Sequence, residues 1–379
     1  MTSVQPLVQP IHVTSNAQLI DIAAQLRDKP LLAIDTEFQR ETTFYPIAGL
    51  IQLGDAQHQY LIDPLTIDEW SPLRELFTSS QSATQNKPCV LHACGEDLEV
   101  FARVADAVPE TLFDTQVGAA LAGLGFSLSY QALVRECLGI EVEKEQTRSD
   151  WLRRPLSAEQ CHYAALDIAY LPQVFEFIAE RLDKRGRLDW WAAEGNAVLA
   201  TSRDAIAPEQ YYLKLSGGWR LRGVQVAALQ QLCAWREIEA RSRNVPRGHI
   251  LKDAQCLEIA RVLPRSLPEL AGTPELHPQQ VRTEGEKVLQ IIAAAREIPT
   301  SEYPAPIGEP LRRELGDRLK QLRRLVETRA QELDVAPESL ARKRDCEILL
   351  RTGALPDSLQ GWRREIIGEP LLVLLKTMS

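Results

Sequence analysis

Four carboxylates and one phenol occur at spacings suited to phosphodiester hydrolysis: Asp35 and Glu37 in LLAIDTEFQR, Asp97 in VLHACGEDLEVF, and Tyr163 with Asp167 in CHYAALDIAYL. Gathering that much negative charge is unfavourable unless cations lie among the carboxylates, and two divalent ions are what in-line attack on a phosphodiester uses. Asp35 and Glu37 stand two apart, so in a strand both side chains point the same way. The preceding Leu31, Leu32, Ala33 and Ile34 read as a central strand, where a buried acidic pair needs a compensating charge; at a fraying strand end the same pair would be ordinary. Asp97 opens a helix just after a buried strand, and taken alone it serves equally to offset the helix dipole. Tyr163 and Asp167, four apart on one helix face, reach a common point. In this reading Asp35, Glu37 and Asp167 hold one ion, Asp35 and Asp97 hold a second, and Tyr163 orients the attacking water. With an ordinary pKa near 10 the phenol is a poor base, so most of the activation falls to the metal. All-oxygen ligands favour Mg²⁺ or Mn²⁺.

The elements that must position these groups are legible in outline. PLLAIDTEF, GLIQLGD and HQYLID read as three neighbouring antiparallel strands, the last two separated by a turn at Asp55 and Ala56. CVLHA is a short buried strand leading into the helical stretch EDLEVFARVA, and TLFDTQVGAALAG repeats strand into helix, an α/β layout. A helix from about Ala158 to Arg185 starts at a capping box, Ser157 with Gln160, and stops before Gly186, with a kink expected at Pro172. Past residue 205 the pattern turns wholly helical, with Trp219, Leu229, Leu232 and Trp235 at helical spacing.

That second half contains a repeat. A shift of 90 residues places Leu232 on Leu322, Ala240 on Ala330, Val245 on Val335, Ile250 on Leu340, Lys252 on Arg342, Cys256 on Cys346 and Arg261 on Arg351. Two residues of slippage later, Leu263 to Leu267 matches Leu355 to Leu359. The period suits a duplicated small domain, and EIPTSEYPAPIGEP between the copies reads as a proline-rich linker. The expected division is 1–205, 206–296, the linker 297–310, and 311–379.

The chain has 379 residues and a formal net charge of −9, unevenly distributed: residues 1–210 carry −14, 211–270 carry +5, 271–310 carry −3 and 311–379 carry +3. An acidic metal-binding body with a basic appendage suits an enzyme that grips phosphates with one part and cuts with another. The seven cysteines are scattered with no CxxC pair, which predicts reduced thiols in a cytoplasmic protein rather than disulfides; Cys94 near His92 and Cys161 beside His162 lack the tight knuckles of structural zinc. The N-terminus MTSVQPLVQPIHV is polar and broken by proline, unlike a signal peptide. No segment approaches the roughly 20 uninterrupted apolar residues of a membrane helix, so no membrane partner is expected.

Together the motifs resemble the DEDD exonuclease superfamily, in the branch whose third motif carries tyrosine, and within it the ribonuclease D family. The likeness runs from about Leu31 to Leu171. It rests on DTEF at Asp35 to Phe38, Tyr45-Pro46, LIQL at Leu50 to Leu53, LIDP at Leu61 to Pro64, HA with EDLEVF between His92 and Phe101, DTQ at Asp114 to Gln116, and Tyr163 with Asp167. The resemblance implies a ribonuclease H-like fold, with Asp35, Glu37, Asp97 and Asp167 as metal ligands and Tyr163 as the catalytic tyrosine. It also implies 3′-to-5′ hydrolysis of structured RNA, precursor transfer RNA in particular, releasing nucleoside 5′-monophosphates. Residues Leu232 to Ala260 resemble the HRDC domain, a small helical bundle that binds nucleic acid, with Arg236, Arg241, Arg243, Arg247 and Lys252 as candidate phosphate contacts. In the second copy Leu325 and Val326 stand where Trp235 and Arg236 do, which predicts a mainly structural role. The motifs do not separate ribose from deoxyribose. A DNA 3′-to-5′ exonuclease therefore stays open, as does a non-catalytic RNA-binding adaptor on the same fold.

Overall fold

The structure is a computed structural model that describes residues 9–78, 88–142, 149–203 and 206–378. Its six strands are β1 (Ile11–Val13), β2 (Leu32–Gln39), β3 (Ile47–Gly54), β4 (Gln59–Ile62), β5 (Cys89–Leu91) and β6 (Leu112–Asp114). They form one mixed sheet in the order β1-β4-β3-β2-β5-β6: the β4-β3-β2 meander is antiparallel, and β5 and β6 extend it in parallel from β2. The three expected antiparallel strands are present. The sequence pattern does not anticipate β1: only three residues long, it pairs parallel to β4 and carries no internal periodicity.

Around the sheet lie α1 (Asn16–Arg27), α2 (Ser71–Thr78), α3 (Asp97–Ala105), α4 (Thr115–Leu121), α5 (Tyr130–Leu138), α6 (Ala158–Ala169), α7 (Leu171–Asp183) and α8 (Leu188–Arg203). The alternation of β2 and β3 sorts them. Leu32, Ile34, Ile51 and Leu53 pack with α1, α2 and α3, while Ala33 packs with α4 to α7 and Leu50 packs with Ala164 of α6. α1, also unanticipated, has a readable start: the Ser15 side chain accepts from Gln18 N, and Gln18 returns a bond to Thr14 N. The expected single helix from 158 is two. Its capping box at Ser157 and Gln160 is present, but the chain breaks at Tyr170 and Pro172 sits in the first turn of α7, where its missing N–H costs nothing.

The remaining helices are α9 (Val224–Arg243), α10 (Arg247–Ile250), α11 (Asp253–Val262), α12 (Leu267–Ala271), α13 (Pro278–Glu297), α14 (Gly316–Leu333), α15 (Pro337–Leu340), α16 (Lys343–Thr352) and α17 (Glu369–Thr377). The duplication is structural: α10 and α15, and α11 and α16, lie 90 residues apart at both ends. Even the reversals correspond, Asn244 and Asp334 both left-handed, with Val245 and Val335 each donating to the carbonyl of Ala240 and Ala330 at 3.0 Å. Trp219 lies outside α9, in a 3₁₀ turn.

The chain divides into two units, Met1–Gln39 with Ile47–Arg203 and Leu311–Ser379, and Arg40–Pro46 with Asp204–Pro310. This differs from the expected succession of bodies. The second helical copy belongs with the sheet: Trp362 stacks on Trp190 at 4.2 Å, and Arg363 holds Glu194 through two bonds of 2.5 and 2.9 Å. Nor is 297–310 a free linker, since Tyr212 donates to Ala305 O at 2.9 Å and Ile307 is buried in the core built on α9 and α13. Among the described residues no helix is long and apolar enough to cross a membrane.

Candidate active site

β2 presents Asp35 and Glu37 on the sheet face covered by α6, with Thr36 turned to the opposite face. The strand shifts register between Glu37 and Phe38, which ends regular pairing beside the acidic pair. Asp97, the first residue of α3, is buried, and its carboxylate accepts from the Thr36 hydroxyl rather than facing solvent. α6 supplies Tyr163 and Asp167, one helical turn apart and close enough that each shifts the other's pKa.

The electrostatics tie these segments together. Asp35 is pushed far above the usual carboxylate range, first by burial and then by the charges of Asp97, Asp167 and Glu37, so the charge of each of the other three acids is felt at Asp35. Burial, with Asp167 and Asp97, raises Glu37 to about 8. Burial lifts Asp167 to about 7 against the opposing pull of the nearby Tyr163 hydroxyl, and Asp97 to about 6 against the hydrogen bond from Thr36. Burial and the neighbouring Asp167 drive the Tyr163 phenol upward, so at neutral pH it is protonated and acts as a donor, not a base.

Surrounding residues that the sequence did not single out for this role hold the ligands in place. Asp114 accepts from the backbone N–H of Ala93, Cys94 and Gln116 at 3.0, 3.2 and 2.8 Å, fixing the left-handed turn at Ala93 that leads into Asp97. Tyr130 bridges the α6–α7 break, donating to Leu166 O at 3.0 Å and accepting from Tyr170 N at 3.2 Å, next to Asp167. Arg154 binds both oxygens of Asp63 at 2.6 Å and the carbonyls of Gly49 and Trp151, which seats Trp151 beside the Tyr163 ring. The DTQ and LIDP motifs were the available signals for Asp114 and Asp63. Both His92 nitrogens are taken by Thr115 and Leu128 O, and Cys94 contacts Asp114.

As a metal site the donor set fits hard divalent cations: four carboxylates, each held above its ordinary pKa, whose charging a cation would favour. Among the described residues no three His, Cys, Asp or Glu side chains already converge on one ion-binding point. Like charges separate, and Asp97 accepts a hydrogen bond from Thr36 instead.

The five candidate phosphate contacts fare differently. Arg236 is a correction: its side chain is 3% exposed and bonded to Leu251 O and Asp253, so it holds α9 to α11 and cannot meet a phosphate. Arg241 and Arg247 converge on the buried Glu237 and lie over the Phe44 ring, in a cluster that docks residues 40–46 on α9 and α10. Arg243 spans Glu239 and Glu284. Lys252, exposed and paired with an equally exposed Glu275 at 3.3 Å, keeps its charge available. Spacing cannot distinguish an arginine turned inward from one turned outward.

A mixed sheet that carries acids on its central strand, with further acids and a tyrosine on two flanking helices, is that of a 3′-to-5′ exonuclease. The family model described as 3′-5′ exonuclease matches residues 10–183, and that of the HRDC domain matches 225–292. Ribonuclease D of Pseudomonas paraeruginosa is 42% identical over 371 residues, 96% of this chain and 97% of that protein. Ribonuclease D of Escherichia coli is 34% identical over 375 residues, 96% and 98% of the two chains. The crystal structure of the E. coli enzyme, an exoribonuclease involved in structured RNA processing, matches with a TM-score of 0.89 at 32% identity, covering 98% of this chain and 99% of that one. The chain belongs to the ribonuclease D family.

Proposed function

We propose that this chain is a metal-dependent 3′-to-5′ exoribonuclease of the cytoplasm that trims structured RNA, precursor transfer RNA among its substrates, and releases nucleoside 5′-monophosphates. The observation that carries this reading is the placement around the buried Asp35 of β2 of Glu37, Asp97 and Asp167, acids delivered from three separate segments, with Tyr163 one helical turn before the last. Asp35, Glu37 and Asp167 would hold one divalent ion, and Asp35 with Asp97 a second; such ions lower the pKa of water and offset charge on a leaving 3′ oxygen. Tyr163, one helical turn before Asp167 and with its ring beside Trp151, is placed so that its oxygen can position the water for attack on phosphorus. Likeness over nearly the whole chain to the E. coli enzyme, which acts in structured RNA processing, supports the RNA substrate.

A precursor RNA labelled at its 3′ nucleotide and a DNA strand of the same sequence, each incubated with Mn²⁺ and then with excess chelator, test the proposal. Chelator-sensitive release of labelled 5′-mononucleotide from the RNA is expected. Equal or faster release from DNA would convert the reading to a DNA exonuclease, and no release from either would leave a binding protein. Replacing Tyr163 with Phe should slow turnover roughly 10²-fold while Mn²⁺ affinity by calorimetry stays within about twofold; turnover at the parental rate would remove the tyrosine from the chemistry.

For RNA grip, Lys252 is joined by Lys214 and Arg220, which lie over the rings of Tyr211 and Trp219 at 4.8 and 4.9 Å. If about three phosphates are contacted, raising salt from about 50 to 200 mM should weaken RNA binding roughly 20- to 40-fold, by release of counterions. An affinity flat in salt, measured by fluorescence anisotropy, would contradict a phosphate-based grip.

A further inference from the structure

Gln52 lies in the middle of β3, directly across from Asp35 in the antiparallel register, so the two side chains leave the sheet on the same face. Its other cross-strand neighbour is Leu61, which offers no polar atom. On β3 itself, the same-face neighbours of Gln52 are covered by α6: Leu50 packs with Ala164, and a Cβ built at Gly54 would meet Ile168 at 2.9 Å. Gln52 is therefore roofed by the stretch of α6 that contains Asp167. It is 0% exposed, and neither the nitrogen nor the oxygen of its carboxamide has a hydrogen-bond partner among the described residues.

A wholly buried amide with both ends unpaired is costly where Leu or Met would pack without penalty. Glutamine at this position needs a partner supplied by the working site. Full burial excludes contact with substrate. The adjacent group with spare acceptor capacity is the Asp35 carboxylate, which no side chain among the described residues hydrogen-bonds.

We propose that Gln52 is a positioning residue: its side-chain nitrogen donates to the Asp35 carboxylate when divalent cations are bound, fixing which oxygen faces the ion. This rests on the metal-dependent reading above and names the group that orients its central ligand, a role in which outer partners commonly tune metal affinity.

The test uses the full chain and Mn²⁺ as probe. Gln52→Met preserves length and volume and removes the amide. The expected result is Mn²⁺ affinity weakened about tenfold by calorimetry, a metal-free melting temperature equal to or above the parental one, and activity that recovers at saturating Mn²⁺. Parental Mn²⁺ affinity in a folded Gln52→Met protein overturns the proposal, because a purely packing role would move the melting temperature and not the affinity. Asp35→Asn run alongside separates the two readings: if it too binds Mn²⁺ like the parent, the metal site itself is wrong. A crystal structure of the parental protein with Mn²⁺ decides independently of any variant. A Gln52 nitrogen about 3 Å from an Asp35 oxygen supports the role, and a carboxamide bonded elsewhere overturns it.

Discussion

Replacing Asp35 with Asn is expected to lower phosphodiester hydrolysis by at least about 10³-fold and, in the same molecule, to make the metal-free protein more stable at pH 8. The two effects have one origin. Asp35 is raised far above its ordinary pKa by burial and by Asp97, Asp167 and Glu37, so its ionised form is the unfavourable one in the metal-free fold. A carboxylate whose folded pKa exceeds its unfolded value binds its proton longer in the native state. Its contribution to stability is whole at acid pH and is lost as pH rises through the folded value. With Asp97, Asp167 and Glu37 raised to about 6, 7 and 8, the metal-free protein should lose stability progressively between pH 5 and about 8.5, and Mn²⁺ should restore it most at the alkaline end. The neutral Asn removes one charge from the quartet, for a gain on the order of 1–2 kcal/mol at pH 8, or roughly 2–5 °C. Melting curves with and without chelator across this range, beside the labelled-RNA assay, check both halves. A variant that keeps parental activity, or one whose metal-free melting temperature drops with pH as steeply as the parent's, would contradict the assignment.

Truncation after Pro310 is expected to cost the sheet-bearing unit on the order of 5 kcal/mol, about 10 °C in melting temperature. This loss should come with little change in RNA affinity at low salt. The segment removed is packed against α4, α7 and α8 rather than appended to them. Trp362 stacks on Trp190 with planes 9° apart and donates to Glu194 at 2.9 Å, while Arg363 holds both oxygens of that glutamate. Arg187 donates to Leu333 O, and Arg185 pairs with Asp334 at 2.7 Å. Losing Arg363 strands a half-buried Glu194 charge, and losing Trp362 uncovers one face of Trp190. The cut leaves 204–310 intact with its exposed Lys214, Arg220 and Lys252, which is why binding should survive. Trp362→Ala isolates the stack and should cost about 2 kcal/mol. A truncated protein that melts with the parent would mean that these contacts contribute nothing net.

Residue identity and spacing were enough to nominate the acids and the tyrosine, because two periodicities act locally: alternation in β2 aligns Asp35 with Glu37, and the helical turn aligns Tyr163 with Asp167. They were enough to reveal the duplication as well, since α10 with α15 and α11 with α16 keep their 90-residue offset. Local pattern could not decide Asp97, whose position at a helix start has two explanations, because its burial and its bond to Thr36 are set by packing. It misjudged Arg236, because whether an arginine on an amphipathic helix faces water depends on what packs there, and Asp253 and Leu251 do.

Residue types and local periodicity suffice for the chemistry: which groups can carry negative charge, which strand and helix present them, and which segments are copies. Where those groups meet, and which side chains surround them, follows from packing between distant segments. Gln52 is set across from Asp35 by strand register, and the last 69 residues, 311–379, join the sheet and not their own repeat. The physical reason is range. Periodicity and capping act over a few residues, whereas repulsion among carboxylates, burial of an amide and docking of one tryptophan on another depend on distances set by the packing of segments far apart in the chain.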